Sequence, residues 1–320
     1  MNYDPGLVLR VNELYHDLEE REYERSHQDL FRLEGPRWQK IAQDYLAPCS
    51  GPLMILDLGT GTGLVPLQIA GFLKASDQIV CADLSEKMLA VCRENIGRNN
   101  FPCRFQFLKL DGKRIDLESG LFEVITLNSV LHHIPEFQPF FQEINRLLKP
   151  GGRLIIGHEP NRFFFADKFL FNLCQFLSII FRPRQFAGAV LRRLRLFEPA
   201  RKIYRRFNPG MKSHSEIIAR VNQRLGQEGL IQTPLSSSQI SALVDIHSPT
   251  AGGYHRDRGI EFPEILSRHL SNFQVVSFET YGHLGEISGQ NRLTKHLDSF
   301  LKKRFPQSGS ILFAVLKKNG

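Results

Sequence analysis

ILDLGTGTG, residues 55–63, is the stretch that decides the fold. An apolar run from Pro52 to Leu56 enters it, Gly59, Gly61 and Gly63 follow at alternate positions, and residues 64–73 then read as helix. Strand, tight glycine turn and helix in that order aim a helix N-terminus and its backbone N–H groups at whatever sits above the strand end. A dinucleotide fingerprint, G-x-G-x-x-G, needs its third glycine at position 64, whereas here it comes one residue early, at Gly63. Asp57, two residues before the first glycine, would also repel a pyrophosphate. A carboxylate at that place suits a ligand carrying positive charge, which disfavours a nicotinamide oxidoreductase.

Outward from this turn the chain alternates strand and helix. The pattern predicts strands at 78–83, 104–110, 122–127 and 153–157, with helices at 85–96 and 137–148 between them. Ser85 is placed to cap the first of these helices, and Lys149-Pro150-Gly151-Gly152 stops the second. Before the core, residues 6–48 read as two or three helices; after it come helices at 185–197, 199–207, 214–228, 237–246 and 262–270. Residues 273–280 alternate like a strand, 291–303 read as a basic amphipathic helix and 310–317 as a final strand.

The glycine turn, Asp83 at the end of the second strand and the run RLLKPGGRLII together resemble the class I S-adenosylmethionine-dependent methyltransferases of the broad small-molecule group. The resemblance covers about residues 50–160. It implies an α/β fold, a doubly wound, Rossmann-like, seven-stranded and mostly parallel sheet with an antiparallel last strand. One methyltransferase domain then divides into an N-terminal helical cap (1–48), a cofactor-binding core (49–160), a helical insertion or lid before the sixth strand (161–272) and closing strands (273–320).

S-adenosylmethionine carries a sulfonium, an ammonium, a carboxylate, a ribose diol and adenine, and the resemblance distributes these over the strand ends. Gly59, Gly61 and Gly63 let backbone approach the ligand, since a Cβ there would collide with it, and Thr60 in the same turn is a further cofactor-binding candidate. Asp57 favours the methionine ammonium. Asp83 accepts from the ribose hydroxyls, as an acid at a second strand end does in nucleotide sites. Asp111 and Gly112 follow the third strand toward the adenine amino group, Leu84 and Met88 flank the ring, and Asn128 and Ser129 face the methionine part.

Methyl transfer asks for in-line approach and exclusion of water, and for a base only where the acceptor loses a proton. His158 and Glu159, above the fifth strand, and His133 of the pair His132-His133 are the catalytic candidates. Tyr15, His16 and Tyr23 in the N-terminal helices, with His247 in the turn-rich loop 247–259, are candidates for contact with the acceptor. No metal site is expected: His247 and His255 lack a Cys or carboxylate at ligand spacing.

The net charge of +8 is concentrated in one place, because residues 161–212 hold twelve Lys and Arg against Asp167 and Glu198. The same region carries ten of the 25 phenylalanines. Three readings stand open: a helical lid with solvated arginines, a lid that also rests on an anionic membrane, and an RNA-binding surface. Helical phenylalanines without a recognisable RNA module make nucleic acid the least favoured. The N-P-P-[FY]-type tetrad of many base N-methylating enzymes is also absent, Asn128-Ser129-Val130-Leu131 standing in its place. The expected acceptor is therefore a small apolar molecule, methylated on O, N or C, with an RNA methyltransferase and a non-catalytic cofactor-binding sensor as the rival readings. Five cysteines without disulfide or metal spacing, and an N-terminus without a basic start and apolar core, fit a cytoplasmic protein, peripheral at a membrane at most. The longest apolar stretch, 169–181, is too short to span a bilayer.

Overall fold

The computed structural model describes residues 3–26, 28–112, 114–181, 214–255, 257–288 and 291–320; at 20–26, 28–29, 178–181 and 286 it describes the backbone alone. The two arginine-rich helices expected at 185–197 and 199–207 lie outside the described residues.

Seven strands form one sheet in the order β3-β2-β1-β4-β5-β7-β6. They are β1 (Met54–Leu58), β2 (Gln78–Asp83), β3 (Arg104–Lys109), β4 (Phe122–Asn128), β5 (Leu148–Pro160), β6 (Phe273–Tyr281) and β7 (Ile311–Lys318). The first five pair in parallel and β7 runs antiparallel to both β5 and β6. Period-two alternation puts neighbouring residues on opposite faces. Ile55, Ile79, Val124 and Ile155 pack on one side with Trp38, Val65 and Ile69. Leu56, Val80, Ile125 and Ile156 pack on the other with Phe141, Ile144 and Leu147. Both faces are covered, as a parallel sheet requires.

The helices follow the sequence pattern with local adjustments. They are α1 (Pro5–Ser26), α2 (Gln28–Ile41), α3 (Leu64–Ile69), α4 (Glu86–Gly97), α5 (Phe137–Leu147), α6 (Arg162–Ala166), α7 (Lys168–Phe181), α8 (His214–Gln227), α9 (Ser237–Val244), α10 (Phe262–His269) and α11 (Arg292–Arg304). Ser85 caps α4, its hydroxyl accepting from the Met88 N–H at 3.0 Å. The helix expected over 64–73 is shorter: α3 ends at Ile69 and tightens into a 3₁₀ turn, Ala70–Phe72. Strand β5 is longer than expected, because Leu148 already pairs with Phe122 before an irregularity at the glycine pair.

Cap and insertion meet. Val8, Val11 and Leu14 of α1 bury themselves against Ile217, Val221 and Leu225 of α8 and Ile240 and Leu243 of α9. Earlier in the chain, Phe164, Leu170 and Cys174 of α6 and α7 pack on Leu284 and Ile287, with Leu297 and Leu301 of α11 beside them. Strand order reverses between β1 and β4, so the crevice of an open α/β sheet opens at their carboxyl ends, and α1 lies across it.

Candidate active site

The crevice holds a cavity of about 1040 Å³ walled by Asp57–Thr62, Asp83–Ser85, Met88, Asn128–Val130 and His133, with Leu9, Asn12, Glu13 and His16 of α1 as its roof. Asp57 is 1 % exposed. Its Oδ1 accepts from the Thr126 hydroxyl at 2.6 Å, while Oδ2 is buried without a partner. Burial pushes its pKa up to about 6. A buried carboxylate oxygen with no donor is costly, and a cation in the cavity relieves it. Asp83 is held by two backbone donors, Gly61 N–H to Oδ2 and Ser85 N–H to Oδ1, both at 2.8 Å. Each of its oxygens keeps a second lone pair for a ligand hydroxyl. Asn128 Oδ1 accepts from the Trp38 indole at 2.9 Å, which leaves its amide N–H₂ as donor.

The glycines act differently from the expectation. A Cβ at Gly59 would come within 2.6 Å of Val130, and one at Gly63 within 2.9 Å of the Cys92 sulfur, so both are demanded by protein neighbours. Only at Gly61 would it meet nothing within 4 Å, and there the backbone faces the cavity. All three have positive φ, which a side chain would strain further.

Thr60, Leu84 and Met88 line the same cavity, and Asn128 and Ser129 close its far end. Asp111 and Gly112 do not join them: the wall of the cavity takes Leu110, while Asp111 is exposed one residue beyond it. The strand ends at Lys109, and Gly112 instead packs under Leu9 of α1, 2.8 Å from where its Cβ would be.

A second cavity of about 1690 Å³ lies beside the first and shares His16, Leu30, Ser129 and His133 with it. Tyr15, Glu19, His132, His158, Asp245 and the aromatic rings of Phe164, Phe165 and Phe171 also line it. Two non-glycine residues with left-handed backbones, Ser129 (φ 59°) and His158 (φ 55°), stand on its rim. They are bound to each other, the Ser129 hydroxyl donating to the His158 carbonyl at 3.3 Å. Such strain persists where surrounding contacts over-determine it, and it concentrates at functional sites.

Histidines dominate the shared wall. His133 Nδ1 donates to the Val244 carbonyl at 2.6 Å. Burial, with His132 and His16 beside it, holds its pKa well below the usual histidine value. It is a neutral ring with Nε2 as acceptor. His132 goes the other way: burial opposes its charge, but the Glu159 carboxylate at 2.8 Å raises its pKa. His132, His133 and Asp245 come close enough to be compared with a metal-ligand set. The Nδ1 of His133 that faces Asp245 at 3.3 Å is already engaged with the Val244 carbonyl, so the cluster reads as hydrogen bonding.

Glu159 does not reach an acceptor. It is 0 % exposed and accepts from the N–H groups of Val130, Leu131 and His132 as well as the His132 ring. Its role is to hold the turn after β4, because every strong acceptor direction is occupied. His247 is likewise corrected. Its ring bonds the Ile134 carbonyl at 2.9 Å and stacks on Phe137 at 4.7 Å, which ties loop 247–259 to the core outside both cavities. Tyr15 and His16 do face the second cavity; the Tyr23 side chain lies outside the described residues.

A family profile described as "Methyltransferase domain" matches residues 56–156. Residues 56–156 are thus similar to a methyltransferase domain. A demethylmenaquinone methyltransferase of Lactococcus lactis is 26% identical over 46% of this chain and 57% of its own length. The corresponding Thermus thermophilus protein is 32% identical over 39% of this chain and 54% of its own. The chain thus spans about half the length of the curated relatives it matches. A solved S-adenosylmethionine-dependent methyltransferase from Mesorhizobium loti covers 89% of this chain and 97% of its own at 15% identity, with a TM-score of 0.45. Likeness at that level carries no functional detail.

Several residues around the crevice had no signal in the sequence. Glu34 of α2 is 0 % exposed; its Oε1 accepts from Tyr281 Oη at 2.7 Å and from His158 Nδ1 at 3.0 Å. An acid in a polar stretch of helix reads as solvated until tertiary packing buries it. Asp245 and Trp38 are similar cases, each identified only by what it touches. For Thr126 a usable signal existed: it lies in register with Asp57 across the β1–β4 pair.

Proposed function

We propose that this protein transfers a methyl group from S-adenosylmethionine to a small, apolar, ring-bearing acceptor. The observation that carries the reading is the pair of adjoining cavities with a common wall at Ser129 and His133, one built for a cationic donor and one lined with aromatic rings. Residues present fit the donor: the orphaned Asp57 Oδ2 meets its ammonium, Asp83 its ribose hydroxyls, Leu84 and Met88 its adenine, and Gly61 and Asn128 its methionine part. Bound there, S-adenosylmethionine supplies an electrophilic methyl carbon: the acceptor's lone pair takes it as the S–CH₃ bond breaks and the pair returns to sulfur.

The chain's own contribution is placement. Leu9, Asn12 and His16 of α1 close the roof and exclude water. Ser129 and His133 hold the acceptor atom at the shared wall, so that approach is in line. The relatives' names, demethylmenaquinone methyltransferases, make a reduced demethylmenaquinone the first acceptor to test. Among the described residues no helix is long and apolar enough to cross a membrane. Phe169 (79 % exposed) and Phe176 (60 % exposed), seven residues apart on α7, form an outward apolar stripe. With the basic segment 161–212 they support peripheral contact with an anionic membrane. Cosedimentation with phosphatidylglycerol vesicles at low salt tests this, and failure to bind removes it. Incubation with methyl-labelled donor tests the activity: label in reduced demethylmenaquinone supports it, and label confined to total RNA replaces it.

A further inference from the structure

We propose that Glu34 and Tyr281 position His158 as the base that takes a hydroxyl proton from the acceptor, which makes that acceptor a phenol or hydroquinone. This rests on the methyl-transfer reading of the second cavity. Glu34 comes from α2, Tyr281 from the end of β6 and His158 from β5, and they meet behind the cavity wall. The Glu34 carboxylate is completely buried, and its Oε1 receives both the Tyr281 hydroxyl (2.7 Å) and His158 Nδ1 (3.0 Å). Its Oε2 has no partner. A buried carboxylate with one oxygen unsatisfied is expensive to keep, and its partners here are a ring on the cavity wall and the phenol that braces it. The strained backbone of His158 (φ 55°) holds the ring in that place.

The hydrogen bonds fix the tautomer. A carboxylate accepts, so His158 donates from Nδ1 and presents Nε2 as a lone pair at the free edge of the ring. The acceptor's proton passes to Nε2, its O–H electron pair stays on the acceptor, and the imidazolium is stabilised by Glu34. Burial raises the Tyr281 pKa well above its usual value, so its phenol stays protonated and donates. The other titratable groups around this triad are Arg37, stacked on the Tyr281 ring at 3.5 Å, and its partner Glu279. Across the cavity stand Tyr15, His16, Glu19, His132, His133 and Asp245. His133 is the poorer base, since burial and two neighbouring histidines disfavour its charged form, whereas His158 has a carboxylate behind it.

Two readouts test the assignment with the full chain. Nitrogen-15 NMR of the His158 ring reads the tautomer without any turnover: the Nδ1–H form is expected in the wild type, with a shift toward Nε2–H in Glu34→Ala. With labelled donor and reduced demethylmenaquinone, Glu34→Gln is expected to lower kcat about 10- to 100-fold. Donor affinity and the KM for the acceptor stay within about twofold, and His158→Asn lowers kcat at least as far as Glu34→Gln does. An Nε2–H tautomer in the wild type, or a Glu34→Gln variant with the wild-type kcat, overturns the proposal. If the wild type binds donor yet transfers nothing, the methyl-transfer reading fails separately, and the tautomer still decides whether Glu34 positions His158.

Discussion

The two cavities share a wall but differ in construction. The donor side is built largely from one continuous run, β1 and its turn, with Asp83 and Asn128 added at the next strand ends; its polar groups are held by backbone donors and strand register. The acceptor side gathers side chains from α1, α2, β5, α6, α7, α9 and β7, and its polar groups are histidines held by buried carboxylates. Local turn geometry sets the first. Tertiary packing sets the second, so substitutions there should alter turnover and leave donor binding nearly intact.

The sharpest break in that comparison is expected at Asp57. Asp57→Ala removes the carboxylate that faces the donor's ammonium, and donor affinity is expected to fall roughly 100-fold or more, about 3 kcal/mol, measured by calorimetry. The pH dependence follows the same group. Its pKa of about 6 in the free protein means that binding a cationic donor requires loss of a proton at lower pH, so affinity should fall by up to about tenfold per unit below that value. Asp57→Asn flattens the profile. Stability of the free protein runs opposite: the native value lies above the unfolded one, so this group's contribution improves as pH falls through 6 toward 4.

Next in size is Gly59→Ala, which places a methyl 2.6 Å from Val130 on a residue with φ 73°. A loss of about 2–3 kcal/mol in unfolding stability is expected by denaturant titration, whereas Gly61→Ala should cost less stability and weaken donor binding. On the acceptor side, Glu159→Gln weakens the support of the turn after β4 and should reduce kcat without changing donor affinity by more than about threefold. The smallest effect is expected at the outer clamp of α1. Arg10 reaches Glu228 and Glu13 at 2.5 and 2.6 Å from a partly exposed position, so Arg10→Ala should cost under about 1 kcal/mol.

The same contrast explains what could be read from the chain. Strand β2 and the Ser85 cap fall where the pattern puts them, because alternation and capping are local. Asp57, Asp83 and Asn128 reach the cavity because strand ends in a doubly wound sheet converge. Asp111 fails for the same reason: β3 is the edge strand and ends at Lys109, which leaves the acid beyond the wall. Glu159 and His247 carried the right chemistry, but their partners, three N–H groups after β4 and the Ile134 carbonyl, come from other elements. Glu34 is the converse, an ordinary helical acid until Tyr281, 247 residues away, buries beside it.

The central claim, a donor cavity that delivers methyl across the Ser129–His133 wall, is tested most directly by single-turnover transfer from methyl-labelled S-adenosylmethionine to reduced demethylmenaquinone. The expected result is label in the extracted quinone with wild type and none with Asp57→Ala at donor concentrations that saturate the wild type. Tight donor binding by the wild type with all label left on the donor would contradict it.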